Sequence, residues 1–232
     1  AVTLATSRYD SDYSCDYLLS QLTPQTPPST LNMCGRYTLH VQKQKLAEAI
    51  ALAIPDTYQA QYNIAPGSEA LSIACLEDMQ PAATMMLWGL RTPQNFHINA
   101  RIETANTTPR FRESWHKHRC LIPANGFYEW YQDGITKQPY YIYPKDEDLH
   151  YFAALWFPAS GSQALPSFVI LTTAAQASIQ DIHQRMPVLL KQEAQIAWLA
   201  GDLSTDEVQA LTKGMPVQKH TVSRRVNSTL NG

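Results

Sequence analysis

The chemistry of this chain concentrates at Met33-Cys34-Gly35-Arg36-Tyr37. A cysteine directly behind a methionine becomes N-terminal when that methionine is an initiator and is removed. An N-terminal cysteine carries an amine and a thiol on adjacent carbons. It condenses with an aldehyde to an imine and then closes through sulfur to a thiazolidine, which an internal cysteine cannot do. Residues 1–32 stand ahead of Met33, so everything turns on whether Cys34 becomes the first residue. Taken alone, Cys34 has a plainer reading as a buried thiol at the start of a strand, because free cysteine is among the most buried residue types.

Three further segments put polar residues where a purely structural pattern calls for apolar ones. Asn99-Ala100-Arg101-Ile102-Glu103-Thr104 sets an amide, a guanidinium and a carboxylate at alternate positions, which all face one way if the segment is extended. That face is either a solvated sheet surface or a polar wall in which Arg101 contacts a phosphate and Asn99 hydrogen-bonds a reacting group. In Ile122-Pro123-Ala124-Asn125-Gly126-Phe127-Tyr128-Glu129-Trp130 the carboxylate of Glu129 sits among aromatics. Desolvation there would raise its pKa and suit it to general acid–base work, while an exposed edge would leave it ordinary. His183, in Asp181-Ile182-His183-Gln184-Arg185-Met186-Pro187, is a proton carrier or simply a surface or satisfied core histidine.

The elements that must position these groups belong to an ordinary globular composition: 232 residues, 44% hydrophobic and 16% charged. No apolar run approaches the roughly 18–20 residues of a membrane span, and no signal peptide is evident, so a cytoplasmic location is expected. Four cysteines, Cys15, Cys34, Cys75 and Cys120, lie far apart without C-x-x-C spacing, which argues against a zinc site or a disulfide framework. A net charge of −2 requires any nucleic-acid partner to find a local basic groove. The segment Arg101 to Arg119 offers one. It holds Arg101, Arg110, Arg112, Lys117, Arg119, His116 and His118 against Glu103 and Glu113.

Residues 1–32 are rich in Ser, Thr and Pro without helical or strand period and read as a flexible leader. The body, 33–232, shows no internal repeat or dividing linker. Strands are predicted over 35–41, 71–76, 84–90, 126–132, 140–143, 149–157 and 168–172, with helices over 42–53, 111–118, 174–181, 191–200 and 205–213. The fold class is therefore α+β, one domain built on curved, mainly antiparallel strands.

Seven motifs occur in order: Cys34-Gly35-Arg36-Tyr37, Tyr62-Asn63-Ile64-Ala65-Pro66-Gly67, Trp88-Gly89-Leu90, Asn99 to Thr104, Gly126 to Trp130, Ile182 to Pro187, and Val222-Ser223-Arg224-Arg225-Val226-Asn227. Together they resemble the SOS response-associated peptidase (SRAP) family, from Met33 to about Asn227. The resemblance implies a single α+β domain with a β-barrel-like core, peripheral helices and a groove for single-stranded DNA. It implies a DNA-damage protein whose N-terminal cysteine bonds to the aldehyde of an abasic site and shields the lesion. By motif position Cys34 would crosslink, with Asn99, Glu129 and His183 as its active-site companions. Arg36, Arg101 and Arg185 would contact phosphates, followed by Arg110, Arg112 and Arg225. Asn63, Pro66 and Trp88 would line the groove, with Trp88 open to a core role instead. No metal or cofactor is called for, the expected partner is single-stranded DNA containing abasic sites, and a monomer is expected.

Two departures from the family pattern stand out. The stretch Arg91 to His97 is short and lacks the usual tryptophan-bearing loop. The leader is the other, since a Cys34 joined to Met33 has no free amine. Met33 as the true start, self-cleavage before Cys34, and an uncleaved leader that abolishes crosslinking are the three explanations. Two other functions fit the same residues: a thiol (auto)peptidase using Cys34 with His183 and Glu129, and a module that binds DNA without bond formation.

Overall fold

Continuously buried side chains along three stretches, Arg119–Ala124, His150–Phe157 and Ser167–Ala174, set the architecture, because nearly every residue in them is inaccessible. A strand buried on both faces must lie between two layers. The computed structural model describes residues 35–76, 80–146, 148–160, 163–201, 203–213 and 215–228. Cys34 and the 1–32 leader lie outside the described residues.

In chain order the elements are β1 (Arg36–Leu39), α1 (Lys43–Ile50), β2 (Gln61–Ile64), β3 (Glu69–Cys75), β4 (Pro81–Trp88), β5 (Leu90–Arg91), β6 (Phe96–His97) and β7 (Asn99–Arg101). Then come α2 (Ile102–Ala105), α3 (Pro109–Lys117), β8 (Arg119–Ala124), β9 (Gly126–Asp133), β10 (Thr136–Pro144), β11 (His150–Phe157) and β12 (Ser167–Ala174). β13 (Arg185–Pro187), β14 (Leu189–Leu190), α4 (Gln192–Ala200), α5 (Thr205–Lys213), β15 (Val217–Thr221) and a 3-10 turn (Arg224–Asn227) complete the described chain.

The expected single barrel-like core does not form. The strands divide between a five-stranded sheet in the order β15-β10-β9-β1-β2, an eight-stranded sheet and the small β5-β6 ribbon. The five-stranded sheet runs from β15 at one edge to β2 at the other without closing. The eight-stranded sheet is mixed: β12 pairs in parallel with β4 and β7, and antiparallel with β11 and β13. The chain passes from one sheet to the other at Asn125, between β8 and β9. There the Asn125 side chain accepts from the His40 N–H at 2.8 Å and donates to the Asp148 carbonyl at 2.5 Å, and its own N–H donates to the Thr38 carbonyl at 2.8 Å. Gly126 completes the corner, since a Cβ there would stand 2.4 Å from the Tyr141 ring.

One core fills the space bounded by Tyr37, Leu39, Phe127 and Ile142 of the five-stranded sheet and Trp88, Ile122, Phe152 and Phe168 of the eight-stranded one. The residues alternating with these, Leu121, Ala153, Leu155, Val169 and Leu171, pack into a second core with Ile102, Phe111, Trp115, Trp198 and Val208 of the helices. Helices form close to where the pattern puts them. α3 starts with Pro109 at its first position. α5 opens on a reciprocal Ser204–Glu207 capping box. α1 stops where Ala51 turns left-handed, at φ 58°. The helix predicted over 174–181 is instead a run of turns. Gln176 leaves the local backbone to donate to the Met215 carbonyl at 2.9 Å, and tertiary bonding wins over helical period. No helix among the described residues is long and apolar enough to cross a membrane.

His150 is fully buried beside Phe152, and neither ring nitrogen has a hydrogen-bond partner among the described residues. Burial pushes its pKa down to about 3. An unfolded histidine near 6.5 binds a proton that the folded one refuses, so this contribution to stability is full above about pH 6.5. It is lost progressively as pH falls toward the folded value. Between pH 7 and 5 the loss should be roughly 2 kcal/mol. Urea midpoints at the two pH values measure it, and His150→Leu should flatten the difference; an equal drop in both proteins would assign the acid sensitivity elsewhere.

Candidate functional site

β1 begins two residues after Cys34, and its register sets Arg36 opposite Tyr128, the neighbour of Glu129. Glu129 is 2% exposed. Its strand position faces the inter-sheet core together with Phe127, as the two-residue period requires. Across the next strand it lies opposite Tyr140. The Tyr140 ring is 5.9 Å from Lys219 Nζ, and Lys219 is ion-paired with Asp181 at 2.5 Å. Asp181 is two residues from His183. A chain of contacts thus ties the strand bearing Glu129 to the turn bearing His183. The His183 ring is half-buried and its Nδ1 accepts from the Arg185 N–H at 3.0 Å. The same Nδ1 lies 3.1 Å from the Arg185 carbonyl, so the ring is held against the Arg185 backbone in either tautomer.

Asn99 lies on β7, opposite Ile170 of β12. Its neighbour Ile98 accepts a hydrogen bond at 3.0 Å from the indole of Trp88, and Trp88 packs edge-on against Tyr37 with centroids 5.2 Å apart. Trp88 is wholly buried. Of the two roles open to it, this burial fits the core one, and the indole links the strand that follows Cys34 to the segment that carries Asn99. The alternation expected over Asn99, Arg101 and Glu103 holds only for the first two. Beyond Arg101 the chain turns helical, and Glu103 belongs to α2.

Arg185, expected to contact phosphate, is engaged by neighbours within the protein. Its side chain is 14% exposed and forms a bidentate pair with Glu103, at 2.7 and 2.8 Å, while Nη2 also donates to the Thr172 carbonyl at 2.5 Å. Burial raises the Glu103 carboxyl, but the hydrogen bonds and charge of Arg185 outweigh it and hold the group below its usual range. Glu103→Gln should cost about 1 kcal/mol, between the values for exposed and fully buried pairs and discounted because Glu103 is partly exposed. Thermal melting checks this, and an unchanged midpoint would make the pair incidental.

Arg36 is also engaged. Nη1 donates to Asn63 Oδ1 and to the Val226 carbonyl, both at 2.8 Å, and Nη2 to the Asn227 carbonyl at 3.2 Å. Asn63, 8% exposed, donates in turn to the Val226 and Ser228 carbonyls. Arg101, Arg110, Arg112 and Arg225 are exposed and Pro66 is half-buried. Arg110 makes a close contact with the His97 ring. Arg119, counted in the basic segment, is buried between Trp115 and Trp198, with its guanidinium 4.7 and 4.4 Å from their rings. The short stretch after Leu90 is a hairpin of β5 and β6 closed by Thr92 and Asn95. A cleft of about 190 Å³, lined by Glu103, Thr173, Gln176, Met186 and Lys213 among others, opens beside the Arg185–Glu103 pair. A larger recess, about 480 Å³ between α4 and α5, contains none of the site residues.

Sequence reasoning did not single out Trp130, Asn227 or Lys219. Trp130 Nε1 donates to Asn227 Oδ1 at 2.7 Å. Their signal was the company they keep: Trp130 follows Glu129, and Asn227 ends the last of the seven motifs.

The model of the SOS response associated peptidase (SRAP) family matches residues 33–229. The chain is 31% identical over 217 residues to the abasic site processing protein YedK of Escherichia coli, covering 86% of this chain and 96% of that one. It is 34% identical over 216 residues to the abasic site processing protein YoaM of Bacillus subtilis, covering 86% and 95%. A crystal structure of a Bacteroides thetaiotaomicron protein superposes with a TM-score of 0.72 at 24% identity, covering 86% of this chain and 97% of that one. A phage-related protein of Bordetella bronchiseptica gives 0.66 at 26% identity, covering 82% and 95%. The matched region thus corresponds to nearly the whole length of these relatives. This chain belongs to the SOS response associated peptidase family.

Proposed function

We propose that this protein acts in the response to DNA damage by binding single-stranded DNA at abasic sites, as a monomer, and joining itself to them covalently through Cys34. The observation that carries the reading is the abasic-site processing named for relatives that match over nearly their whole length. The reaction begins when the unprotonated α-amine of Cys34, whose ordinary pKa is about 7.7–8.0, adds to the C1′ aldehyde of the opened sugar. The carbinolamine loses water to give an imine. The thiolate then adds to the imine carbon, nitrogen takes up a proton, and a thiazolidine results with one water lost overall. Sugar opening and dehydration both move protons, a task assigned to Glu129 and His183, with Asn99 orienting the sugar or the nucleophile. The burial of Glu129 one register step from the start of β1, and the fixed ring of His183, support these roles. Phosphates are met by Arg36, Arg101 and Arg185, with Arg110, Arg112 and Arg225 farther out and Asn63 and Pro66 along the path.

The test is intact mass. Protein beginning at Cys34, mixed with an abasic single strand, should gain the mass of the oligonucleotide less one water. No adduct from protein with a confirmed free N-terminus would overturn the reading. Peptidase action is a separate activity with its own signature: loss of residues 1–33 from the purified full chain, abolished by Cys34→Ala.

A further inference from the structure

The C-terminal turn lies against the strand that follows the nucleophile, about 190 residues away in sequence. Its contacts are specific and reach three strands of the five-stranded sheet. Arg36 of β1 donates to the carbonyls of Val226 and Asn227, Asn63 of β2 to those of Val226 and Ser228, and Trp130 of β9 to the side chain of Asn227. Arg36 and Asn63 are themselves joined at 2.8 Å. Every acceptor around Arg36 is neutral, and among the described residues no carboxylate joins it. These bonds orient the guanidinium without cancelling its charge. β1 is only four residues long, and the end of so short a strand frays unless something beyond the ladder holds it.

We propose that the turn Arg224–Asn227 is a positioning element for the Cys34 reaction, with Asn227 as the side chain that anchors it. The inference rests on the crosslinking function proposed above. The turn locks Arg36, and through it the first residues after Cys34, so that the amine and thiol are presented to the aldehyde from a fixed strand end. Asn227 does not touch the reacting atoms. It acts through Trp130 and, by its carbonyl, through Arg36. Misplacement by about 1 Å is enough to slow a bond-forming step by up to 100-fold.

The side chain of Asn227 can be tested without removing the turn, because its backbone carbonyl survives substitution. Asn227→Leu, in protein beginning at Cys34, should lower the crosslinking rate at saturating DNA by about 10-fold. Affinity for a strand carrying an unreactive tetrahydrofuran abasic analogue should stay within about twofold, since Arg36 is one of several phosphate contacts whereas the bond-forming step needs the strand end fixed. Asn227→Asp, which keeps an oxygen facing the Trp130 N–H, should recover most of the rate. Trp130→Phe should reproduce the loss, and the double variant should add nothing to it. In the full chain, Asn227→Leu should also speed amide hydrogen exchange at Tyr37 and Thr38, a readout that does not depend on crosslinking. If the protein with a free Cys34 forms no adduct, the functional reading fails and the exchange result alone decides the positioning. An unchanged rate, a rate that falls only in step with affinity, or unaltered exchange at β1 would overturn the proposal.

Discussion

Cys34→Ala in a chain that begins at residue 34 should still attack an abasic site, yet fail to keep it. The alanine retains the α-amine, so the carbinolamine and imine form as before. Without sulfur on the adjacent carbon the imine has no intramolecular trap. An imine at C1′ acidifies the neighbouring C2′ protons and promotes β-elimination of the 3′ phosphate, so the variant should nick the strand and release it. The wild-type protein should leave the strand intact inside a heat-stable adduct. Denaturing gels separate the outcomes: a slow-migrating band for the wild type, and a cleaved oligonucleotide for the variant, converted to an adduct only when borohydride is present. Any residue left ahead of Cys34 changes both results, because its nitrogen is then an amide and neither imine nor ring can form. Stable adduct at wild-type yield from Cys34→Ala would place the bond on another residue and sink the mechanism.

Much of this was legible in the sequence, for physical reasons that differ by element. β11 and β12 read as strands because they are short, rich in aliphatic and aromatic residues and bounded by turn residues. Their burial on both faces left no ambiguity with an amphipathic helix. β8 did not read as a strand, because Arg119 at its head looked like part of a basic surface. Its charge instead spreads over two indole faces, with its Nε–H donated to the Trp115 carbonyl at 2.8 Å. Trp88 shows the limit of motif position, since the same indole suits a groove or a core and only the packing of Tyr37 and Phe168 against it decides. Arg185 shows another limit. The motif predicts a cation, but its engagement with Glu103 depends on α2 and β13 meeting at the end of β12, a contact across 82 residues that local pattern does not carry. The division of the strands into two sheets was hidden for a similar reason. The chain passes between the two larger sheets four times, after β2, β8, β10 and β14, and the corner at Asn125 is held by three hydrogen bonds to residues far away in sequence.

Glu129 is where burial and chemistry make the sharpest demand on each other. A carboxylate 2% exposed in the face of a sheet otherwise lined by Tyr37, Phe127 and Ile142 carries a desolvation cost that an apolar residue would avoid. Glu129→Gln keeps shape and volume but can no longer exchange a proton at its terminal oxygen. If Glu129 shuttles protons in sugar opening or carbinolamine dehydration, the first-order crosslinking rate at saturating protein should fall by roughly 100-fold or more, the usual contribution of a positioned acid–base group. Affinity for a strand bearing the unreactive tetrahydrofuran analogue should be unchanged or slightly higher, since the substitution removes one negative charge from a DNA-binding protein. Supplying an abasic analogue already fixed as the open-chain aldehyde divides the effect further: a rate restored in the variant would assign Glu129 to ring opening, and a rate still depressed to dehydration. Melting temperature separates chemistry from folding, because the glutamine preserves packing. Parallel loss of affinity, melting temperature and rate would make Glu129 a structural residue of β9, and the proton transfers would then rest with His183.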